Sequence, residues 1–530
     1  MRSGRPVAAK RLVSANEVSQ HNSLENLWLV VDGTVYDLSS FAPEHPGGAD
    51  ILLQYAGRDA TAAYSEVHSM SLIRNSLPLS SHIGALDMAT VPAEWTAKPL
   101  AQTTTAPRPS KPSLESIINA RDFERAAEAS FTPKAWAFVS SAATDCLTKQ
   151  RNASAYADIW LRPRVLRDVS RINLRTTMLG HRIRAPIFCA PTSMGKLFHP
   201  EGERELGRGC QRLGIPQCVS TSCSFPLAEV MDAVEEEQKK DHGSSGGGNS
   251  TTVPVFFQLY VDKDRSKSER LLRTVKERGV SAIFLTIDAP VVGKREADER
   301  LRADESLKLP MSGQQAKNDK KGGALGRIMG SFIDPSMTWD DITWLRRTVP
   351  GLPIVLKGVQ SAADAVKAME AGVDAIYLTN HGGRSVDTAP ATILVLLELQ
   401  KCCPQIFDKM EVYIDGGITR GTDIFKALCL GARAVGMGRG FLYALNYGKE
   451  GIQHFVDSKL TYSELREEES LTKRSQVLID ELETTMQQCG VASLDQLHPG
   501  LLNTGAVDHL IPGSEEHPYA KWRPLVKSRL

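Results

Sequence analysis

The amino-acid sequence has no long apolar run and almost no net charge. No stretch approaches the roughly 20 apolar residues that a membrane-spanning helix requires, so no span is predicted. Lysine and arginine number 63 against 62 aspartates and glutamates, and the net charge of +1 argues against nucleic acid as an obligatory partner. The nine cysteines lack the paired spacing of zinc sites. We interpret them as reduced core thiols of an intracellular protein.

A chain of 530 residues with 42% hydrophobic content is too long for one ordinary domain. Residues 10–88 are predicted as a first domain, 89–111 as a Pro-, Thr- and Ala-containing linker, 112–495 as a large α/β domain, and 496–530 as a C-terminal tail. The basic N-terminus has no apolar region and leaves little room for a cleaved targeting segment. We expect a cytoplasmic protein, with the mitochondrial intermembrane space as the alternative.

Eight β-type runs, separated by segments of helical spacing, end in polar or glycine residues. They are IFCAPTS ending at Ser193, QCVSTS at Ser222, VFFQLY at Tyr260, IFLTID at Asp288, IVLKG at Gly358, AIYLTNHGG at Gly383, VYIDGG at Gly417 and AVGMGRG at Gly440. This pattern predicts an α/β fold, a (β/α)8 barrel of the TIM type whose active site gathers at the C-terminal strand ends. A doubly wound open sheet is the alternative, but polar residues end all eight runs rather than those at one switch point.

Two segments interrupt the pattern. DHGSSGGGNS, from Asp241 to Ser250, is predicted to be a flexible loop. Residues Glu296 to Gly330 are charged and Gly-rich, and they follow the fourth strand. That position suits a mobile lid over the active site.

The segment LTNHGGR, from Leu378 to Arg384, is the most informative motif. His381 and Arg384 flank two glycines that allow a sharp turn and the close approach of a ligand. Histidine can accept a proton near neutral pH, and arginine can grip a carboxylate with two parallel hydrogen bonds. Taken alone, a solvated Gly-rich turn is an equally good interpretation.

The first domain carries a histidine in a tight turn, His45 in HPGG, and a second histidine, His68, after a helix-like stretch. Two such histidines beside an apolar pocket suit the axial positions of a haem iron. Together with Trp28, Tyr36-Asp37 and Phe41, this pattern resembles cytochrome b5-type haem domains. The resemblance implies haem b ligated by His45 and His68, with one-electron transfer as its task.

The strand ends of the large domain offer groups that suit a flavin. Glycines and Arg439 follow strands seven and eight, where barrels frequently bind phosphate. Lys357 can place a positive charge against an electron-rich reduced ring. Ser220, Gln258 and Thr286 can hydrogen-bond to a polar heterocycle.

Residues 112–491 resemble the FMN-dependent α-hydroxy acid dehydrogenases and oxidases. The motifs that carry the resemblance are PTSMGKLFHPEGE, FFQLYVDKDR, LTIDAPVVGKREAD, LKGV, NHGGR and IDGG…RGTDIFKALCLGA. With the haem domain in front, the order of domains is similar to that of the flavocytochrome b2 family. The resemblance implies oxidation of an L-2-hydroxy acid to the 2-oxo acid by FMN, with electrons passing through haem to an acceptor such as cytochrome c. It also implies a homotetramer.

The resemblance assigns roles to matching positions. His381 would be the catalytic base, Asp288 would orient it, Arg384 and Arg295 would bind the substrate carboxylate, and Tyr260 would hydrogen-bond to the substrate. The alternative interpretation of Asp288 and Arg295 is a structural salt bridge at the barrel rim. The FMN contacts would be Pro191, Thr192, Ser193, Ser220, Gln258, Thr286, Lys357, Asp415, Gly416, Gly417, Gly438 and Arg439.

Three positions depart from the family pattern. Phe138, in the substrate site, stands where a tyrosine hydroxyl would meet the carboxylate, and Ser222 where a bulky apolar residue would line the side-chain pocket. Thr419 stands where an arginine would meet the FMN phosphate, a charge that Arg420 or Arg439 would then supply. These departures put lactate itself in doubt. They also leave two alternatives, an oxidase that uses oxygen and a non-catalytic haem-flavin protein.

Overall fold

The computed structural model describes residues 11–45, 49–53, 55–61, 64, 73, 77–92, 95, 111–244, 253–319, 322–457 and 477–511. The chain divides into two compact units, with the division between Arg108 and Pro109. None of the helices in the described ranges is long and apolar enough to cross a membrane.

The N-terminal unit is built on a five-stranded sheet. In order across the sheet, its strands are Leu12–Val13, His82–Leu86, Thr34–Asp37, Asn26–Val31 and Asn22–Ser23, and only the first pair is parallel. Its helices are Ala15–Ser19 and Ala49–Leu53, with single turns at Ala42–Glu44, Leu79–Ser81 and Met88–Thr90. The strand Asn26–Val31 alternates between two apolar clusters, because Leu27 and Leu29 face one and Trp28 and Val30 face the other.

The C-terminal unit contains a closed barrel of eight parallel strands, which confirms the predicted fold. In chain order the strands are Ile187–Cys189, Gln217–Ser220, Val255–Leu259, Ile283–Thr286, Ile354–Val359, Ala375–Leu378, Glu411–Ile414 and Ala434–Met437. Each pairs with the next, and the eighth pairs with the first. All eight apolar runs of the sequence therefore form barrel strands, and their polar ends gather at one rim.

Helices follow the strands around the outside of the barrel. They are Gly202–Leu213, Leu227–Ser244, Arg265–Glu277, Asp341–Thr348, Ala362–Glu370, Thr392–Cys402, Gly421–Cys429, and the pair Arg439–Leu445 and Gly448–Val456. Three helices precede the barrel, Ala120–Ser130, Pro133–Ser140 and Leu147–Ala157, and shorter pieces lie at Leu114–Ser116, Gly195–Leu197 and Ile406–Lys409. The loop predicted from Asp241 is wrong at its start, since the second barrel helix continues to Ser244. Residues 245–250 lie outside the described residues.

The segment after the fourth strand contains two short helices, Glu296–Glu299 and Leu325–Met329. Its mobility as a lid stays a prediction. The chain also continues to pack on the barrel after residue 495, where the tail was predicted to begin. After the helix Leu478–Gln488 come single turns at Leu494–Gln496, Pro499–Leu501 and Asp508–Leu510, and the strand Leu502–Asn503 pairs with Trp160–Leu161. Leu501 and Val507 are buried.

The barrel interior is filled by aromatic side chains. The largest are Phe188, Phe256, Phe284, Tyr377 and Tyr413, and the Phe256 and Phe284 rings lie 5.3 Å apart. A hairpin of Thr176–Met178 and His181–Ile183 packs into this cluster. Open volume is therefore left at the C-terminal strand ends. The nine cysteines are free thiols, and seven of them are buried.

Candidate active site

Three predicted site residues form one hydrogen-bonded series at the rim of the barrel, where the C-terminal strand ends gather. Tyr260, His381 and Asp288 follow the third, sixth and fourth strands. The Tyr260 hydroxyl lies 3.1 Å from Nε2 of His381, and Nδ1 of His381 lies 3.1 Å from Oδ1 of Asp288. An ionised carboxylate can only accept a hydrogen bond, so with Asp288 ionised Nδ1 of His381 carries the ring proton and Nε2 is left as the acceptor.

Burial and neighbouring charges hold these three side chains in the protonation states that a base at His381 requires. Burial lowers the pKa of His381, and the cations Lys357 and Arg295 add to that effect, whereas Asp288 opposes it. Burial acts to raise the pKa of Asp288, but Lys357 and His381 outweigh it and the pKa is lowered. Burial also raises the pKa of Tyr260. The result is a neutral imidazole backed by a carboxylate.

Arg384 is fixed by the helix that precedes the barrel. Its Nη1 donates to the carbonyls of Phe138 and Ser141, each at 2.8 Å, and to that of Val139 at 3.3 Å. The guanidinium carbon lies 5.1 Å from the centre of the Phe138 ring. The other nitrogens of Arg384 donate to no carbonyl within the described residues, so they are free for a carboxylate.

Arg384 lines a cleft, an open space of about 700 Å³. Arg295 lines it together with Tyr260, His381 and Ser222. A Cβ atom at Gly326 would lie 2.5 Å from its Nη1, so the segment after the fourth strand packs directly on the guanidinium. Burial lowers the pKa of Arg295, and Asp298 opposes that shift. Among the described residues Arg295 forms no ion pair, and the rim salt bridge that was its alternative interpretation is not observed. Asp288 pairs with His381 instead.

A second cavity of about 1390 Å³ adjoins the first and shares Pro191, Ser193 and Lys357 with it. The other predicted FMN contacts that line it are Thr192, Asp415, Gly416, Gly417, Gly438 and Arg439. Ser220 and Gln258 line the first cleft, whereas Thr286 lies behind, accepting from Nε2 of Gln258 at 2.9 Å. The structure therefore brings together every predicted FMN contact except Thr286, which reaches the cavities through Gln258.

The residues present fit FMN. Oδ1 of Asp415 is buried without a hydrogen-bond partner, and Lys357 is buried with no hydrogen bond among the described residues. A Cβ atom at Gly438 would meet only one atom, at 3.8 Å, so the chain there leaves space for a ligand. Gly417 has φ +81°, and its Cβ would lie 2.2 Å from the carbonyl oxygen of Asn152, so only glycine allows this turn. The lining of the cavity therefore combines polar partners, Asp415 and Lys357, with glycine turns and Arg439.

Of the two cations expected to replace the family arginine at Thr419, one is placed elsewhere. Arg420 donates to Oε1 of Glu481 at 2.7 Å and does not line the cavity. The expectation that Arg420 supplies this charge is therefore wrong, because its side chain leaves the helix N-terminus on the outer side. Thr419 lines the cavity, but its hydroxyl and N–H point to Asp423. The sequence analysis missed Lys149, which lies before the barrel and lines the same cavity.

His45 lies half-buried at the end of the turn Ala42–Glu44, with its ring 5.8 Å from that of Phe41. Apolar side chains surround the Phe41 position, among them Leu38, Leu52 and Leu53. This donor beside an apolar cluster fits a haem. The second predicted ligand, His68, lies outside the described residues.

Two family models match the chain. Residues 127–504 match the FMN-dependent dehydrogenase model, and residues 14–87 match that of the cytochrome b5-like heme/steroid binding domain. The chain therefore belongs to the FMN-dependent dehydrogenase family and carries a cytochrome b5-like domain in front. Its cofactors are FMN and haem b, and it is an FMN- and haem-dependent dehydrogenase, as predicted.

Individual relatives agree. The chain is 37% identical to L-lactate dehydrogenase (cytochrome) of Saccharomyces cerevisiae over 508 residues, 93% of this chain and 80% of the relative. It is 36% identical to a peroxisomal (S)-2-hydroxy-acid oxidase of Oryza sativa, over 72% of this chain and 94% of the relative. The flavin-binding domain of baker's yeast flavocytochrome b2 superposes with a TM-score of 0.62 at 37% identity, covering 76% of this chain and 90% of that one. The predicted resemblance to flavocytochrome b2 is confirmed.

Proposed function

We propose that this protein oxidises an L-2-hydroxy acid to the 2-oxo acid and passes the electrons through haem to a one-electron acceptor such as cytochrome c. The observation that carries the proposal is the chain from Asp288 through His381 to Tyr260, which opens on a cleft that also holds Arg384. FMN, when bound, supplies the two-electron acceptor, and haem b the one-electron relay.

The protein residues handle the carboxylate and the protons. Arg384 and Arg295 bind the substrate carboxylate, because both guanidiniums line the cleft and one side of Arg384 is already fixed by carbonyls. Nε2 of His381 accepts a proton from the hydroxyl-bearing carbon or from its hydroxyl. Asp288 stabilises the imidazolium that results, since its Oδ1 lies 3.1 Å from the far ring nitrogen. Tyr260 hydrogen-bonds to the substrate from the same side.

The test is the rate of flavin reduction after His381→Gln. Positioned general-base catalysis contributes on the order of 10²–10⁴-fold, so the rate should fall by at least about 100-fold while FMN stays bound. His181→Gln, at an exposed position in the hairpin, is the matched control and should leave the rate unchanged. Flavin reduction at the native rate in the His381 variant would contradict the assignment. Cytochrome c reduction measured against peroxide production separates the dehydrogenase from an oxidase.

The same cleft supports a preference for acids larger than lactate. Ser222 lines it beside Met194, Val292 and Ile333, and Phe138 offers no hydroxyl to the carboxylate. A missing neutral hydrogen bond is worth roughly 0.5–1.5 kcal/mol, and each additional buried CH₂ returns about 0.8 kcal/mol.

Longer or aromatic 2-hydroxy acids should therefore exceed lactate in kcat/KM. The double variant Phe138→Tyr, Ser222→Leu should shift the preference back toward lactate. A wild-type enzyme that prefers lactate to every longer acid would contradict this proposal.

The assembly and the compartment complete the proposal. A homotetramer rests on the family resemblance, and light scattering on the full-length holoprotein tests it. A cytoplasmic location, or the mitochondrial intermembrane space as its alternative, is tested by fractionation of the source cells.

A further inference from the structure

Lys149 lines the second cavity and has no role in the function proposed above. Lys149 belongs to the helix Leu147–Ala157, which packs against two turns of the barrel rim. A Cβ atom at Gly383 would lie 2.6 Å from the backbone nitrogen of Lys149, and one at Gly417 would lie 2.2 Å from the carbonyl oxygen of Asn152. Because glycine at both turns lets the helix approach this closely, Lys149 lies along the cavity wall beside the loops after strands six and seven.

The ammonium of Lys149 has no carboxylate partner in the part of the chain that the structure describes. Its Nζ donates to the carbonyl of Ser140 at 2.8 Å, and it forms no ion pair among the described residues. Burial lowers the pKa of Lys149, and the charge of Arg439 adds to this, whereas Glu124 opposes it. A partly buried cation beside another cation favours an anion in the space between them.

Arg439 has one nitrogen left for such an anion. Its Nε donates to Val139 at 3.0 Å, and its Nη2 donates to Ser141 at 3.1 Å and Gly382 at 3.0 Å. Nη1 has no carbonyl partner in the described part of the chain. Arg439 follows strand eight, and Gly416 and Gly417 follow strand seven, so the cavity lies where barrels bind phosphate groups.

We propose that Lys149 binds the phosphate of FMN together with Arg439. The ammonium provides a point charge from the helix side, and the guanidinium provides a directed donor from the strand side. Lys149 thereby supplies the charge that Thr419 lacks and that Arg420, bound to Glu481, does not provide. The barrel motifs of the sequence do not predict this contact, because Lys149 precedes the first strand.

The test compares FMN with riboflavin, which lacks the phosphate. Full-length protein freed of flavin is titrated with each compound, and binding is followed by quenching of flavin fluorescence. A charge-assisted hydrogen bond predicts that Lys149→Met weakens FMN binding by roughly 10- to 150-fold. Riboflavin binding should change by less than about twofold, within the spread of a surface substitution.

Two further variants separate charge from structure. Lys149→Gln can still donate to the carbonyl of Ser140 but carries no charge, so it should show the same selective loss even if the methionine variant folds poorly. Arg420→Met is the matched control and should leave the ratio of FMN to riboflavin affinity unchanged. Equal loss of both flavins in the Lys149 variants, unchanged FMN affinity, or a selective loss in the Arg420 variant would each overturn the proposal.

Discussion

A half-buried lysine, Lys134, joins the segment after the fourth strand to the helix Pro133–Ser140. Nζ of Lys134 lies 2.6 Å from Oδ1 of Asp298, and it also donates to the carbonyls of Asp298, Leu301 and Gly323 at 2.6–2.9 Å. Oδ2 of Asp298 accepts from the N–H of Gly326 at 3.2 Å. This ion pair therefore holds both short helices of the segment.

The pair bears on catalysis through Arg295. Arg295 precedes the helix that contains Asp298, and Gly326 packs on its guanidinium. We predict that Lys134→Met releases the segment and lets Arg295 leave the substrate carboxylate. A lost charge-assisted contact is worth about 1.5–3 kcal/mol, so KM for the hydroxy acid should rise roughly 10- to 150-fold, with a smaller change in kcat.

The burial of the pair sets how much free energy the loss of Lys134 costs. The side chains of Lys134 and Asp298 are 14% and 1% exposed, and removing one partner of a buried pair costs about 3–5 kcal/mol. Directly before this segment Lys294 pairs with Glu296 at 61% and 39% exposure, where solvent screens the attraction between the two charges. Lys294→Met is therefore the matched control, and it should leave both KM and resistance to proteolysis within the segment nearly unchanged.

Steady-state reduction of cytochrome c gives kcat and KM, and limited proteolysis reports opening of residues 296–330. A double-mutant cycle with Arg295→Ala tests whether Lys134 acts through Arg295, because Lys134→Met should then raise KM little further in the Arg295→Ala background. The reasoning is refuted if Lys134→Met keeps the native KM while Arg295→Ala raises it, or if the Lys294 and Lys134 variants behave alike.

Two predictions concern the redox groups. His68→Ala should lose haem while substrate still reduces the flavin; the haem absorption spectrum checks this, and an unchanged spectrum would rule out His68 as a ligand. Because the pKa of His381 is lowered and its neutral form is the base, the acid limb of kcat/KM should lie below the ordinary histidine pKa of about 6.5. Asp288 raises that pKa, so Asp288→Asn should move the limb to still lower pH and slow the reaction; a limb that moves upward in a pH–rate profile would show that another group titrates.

The barrel and most of its catalytic groups could be predicted because their signals are local. Each strand is a short apolar run that ends in a polar residue or glycine, and this pattern places His381, Asp288 and Tyr260 at one rim. The direction of a side chain is not local information. Arg420 and Arg439 both follow strand-end glycines in the sequence, yet one pairs with Glu481 outside the cavity and the other lines it.

Contacts made by the helices before the barrel could not be predicted either. Lys134 meets residues more than 160 positions later, and Lys149 meets the turn at Gly383. Neither contact leaves a trace in hydrophobic periodicity, because it depends on how the completed barrel packs on its N-terminal helices. The packing of Val507 on the barrel has the same origin.

The active site departs from the rules that the rest of the fold obeys. His381 has a positive φ of 59°, a backbone conformation that is unfavourable for any residue other than glycine. Its backbone N–H donates to the hydroxyl of Thr379 at 3.0 Å. Burial and neighbouring cations lower the pKa of Arg384, as they do for Lys149 across the same cavities. Buried cations without carboxylate partners destabilise a fold unless anions occupy the space between them. The phosphate of FMN and the carboxylate of the substrate are such anions, so the charges that make the site reactive also couple its stability to its ligands.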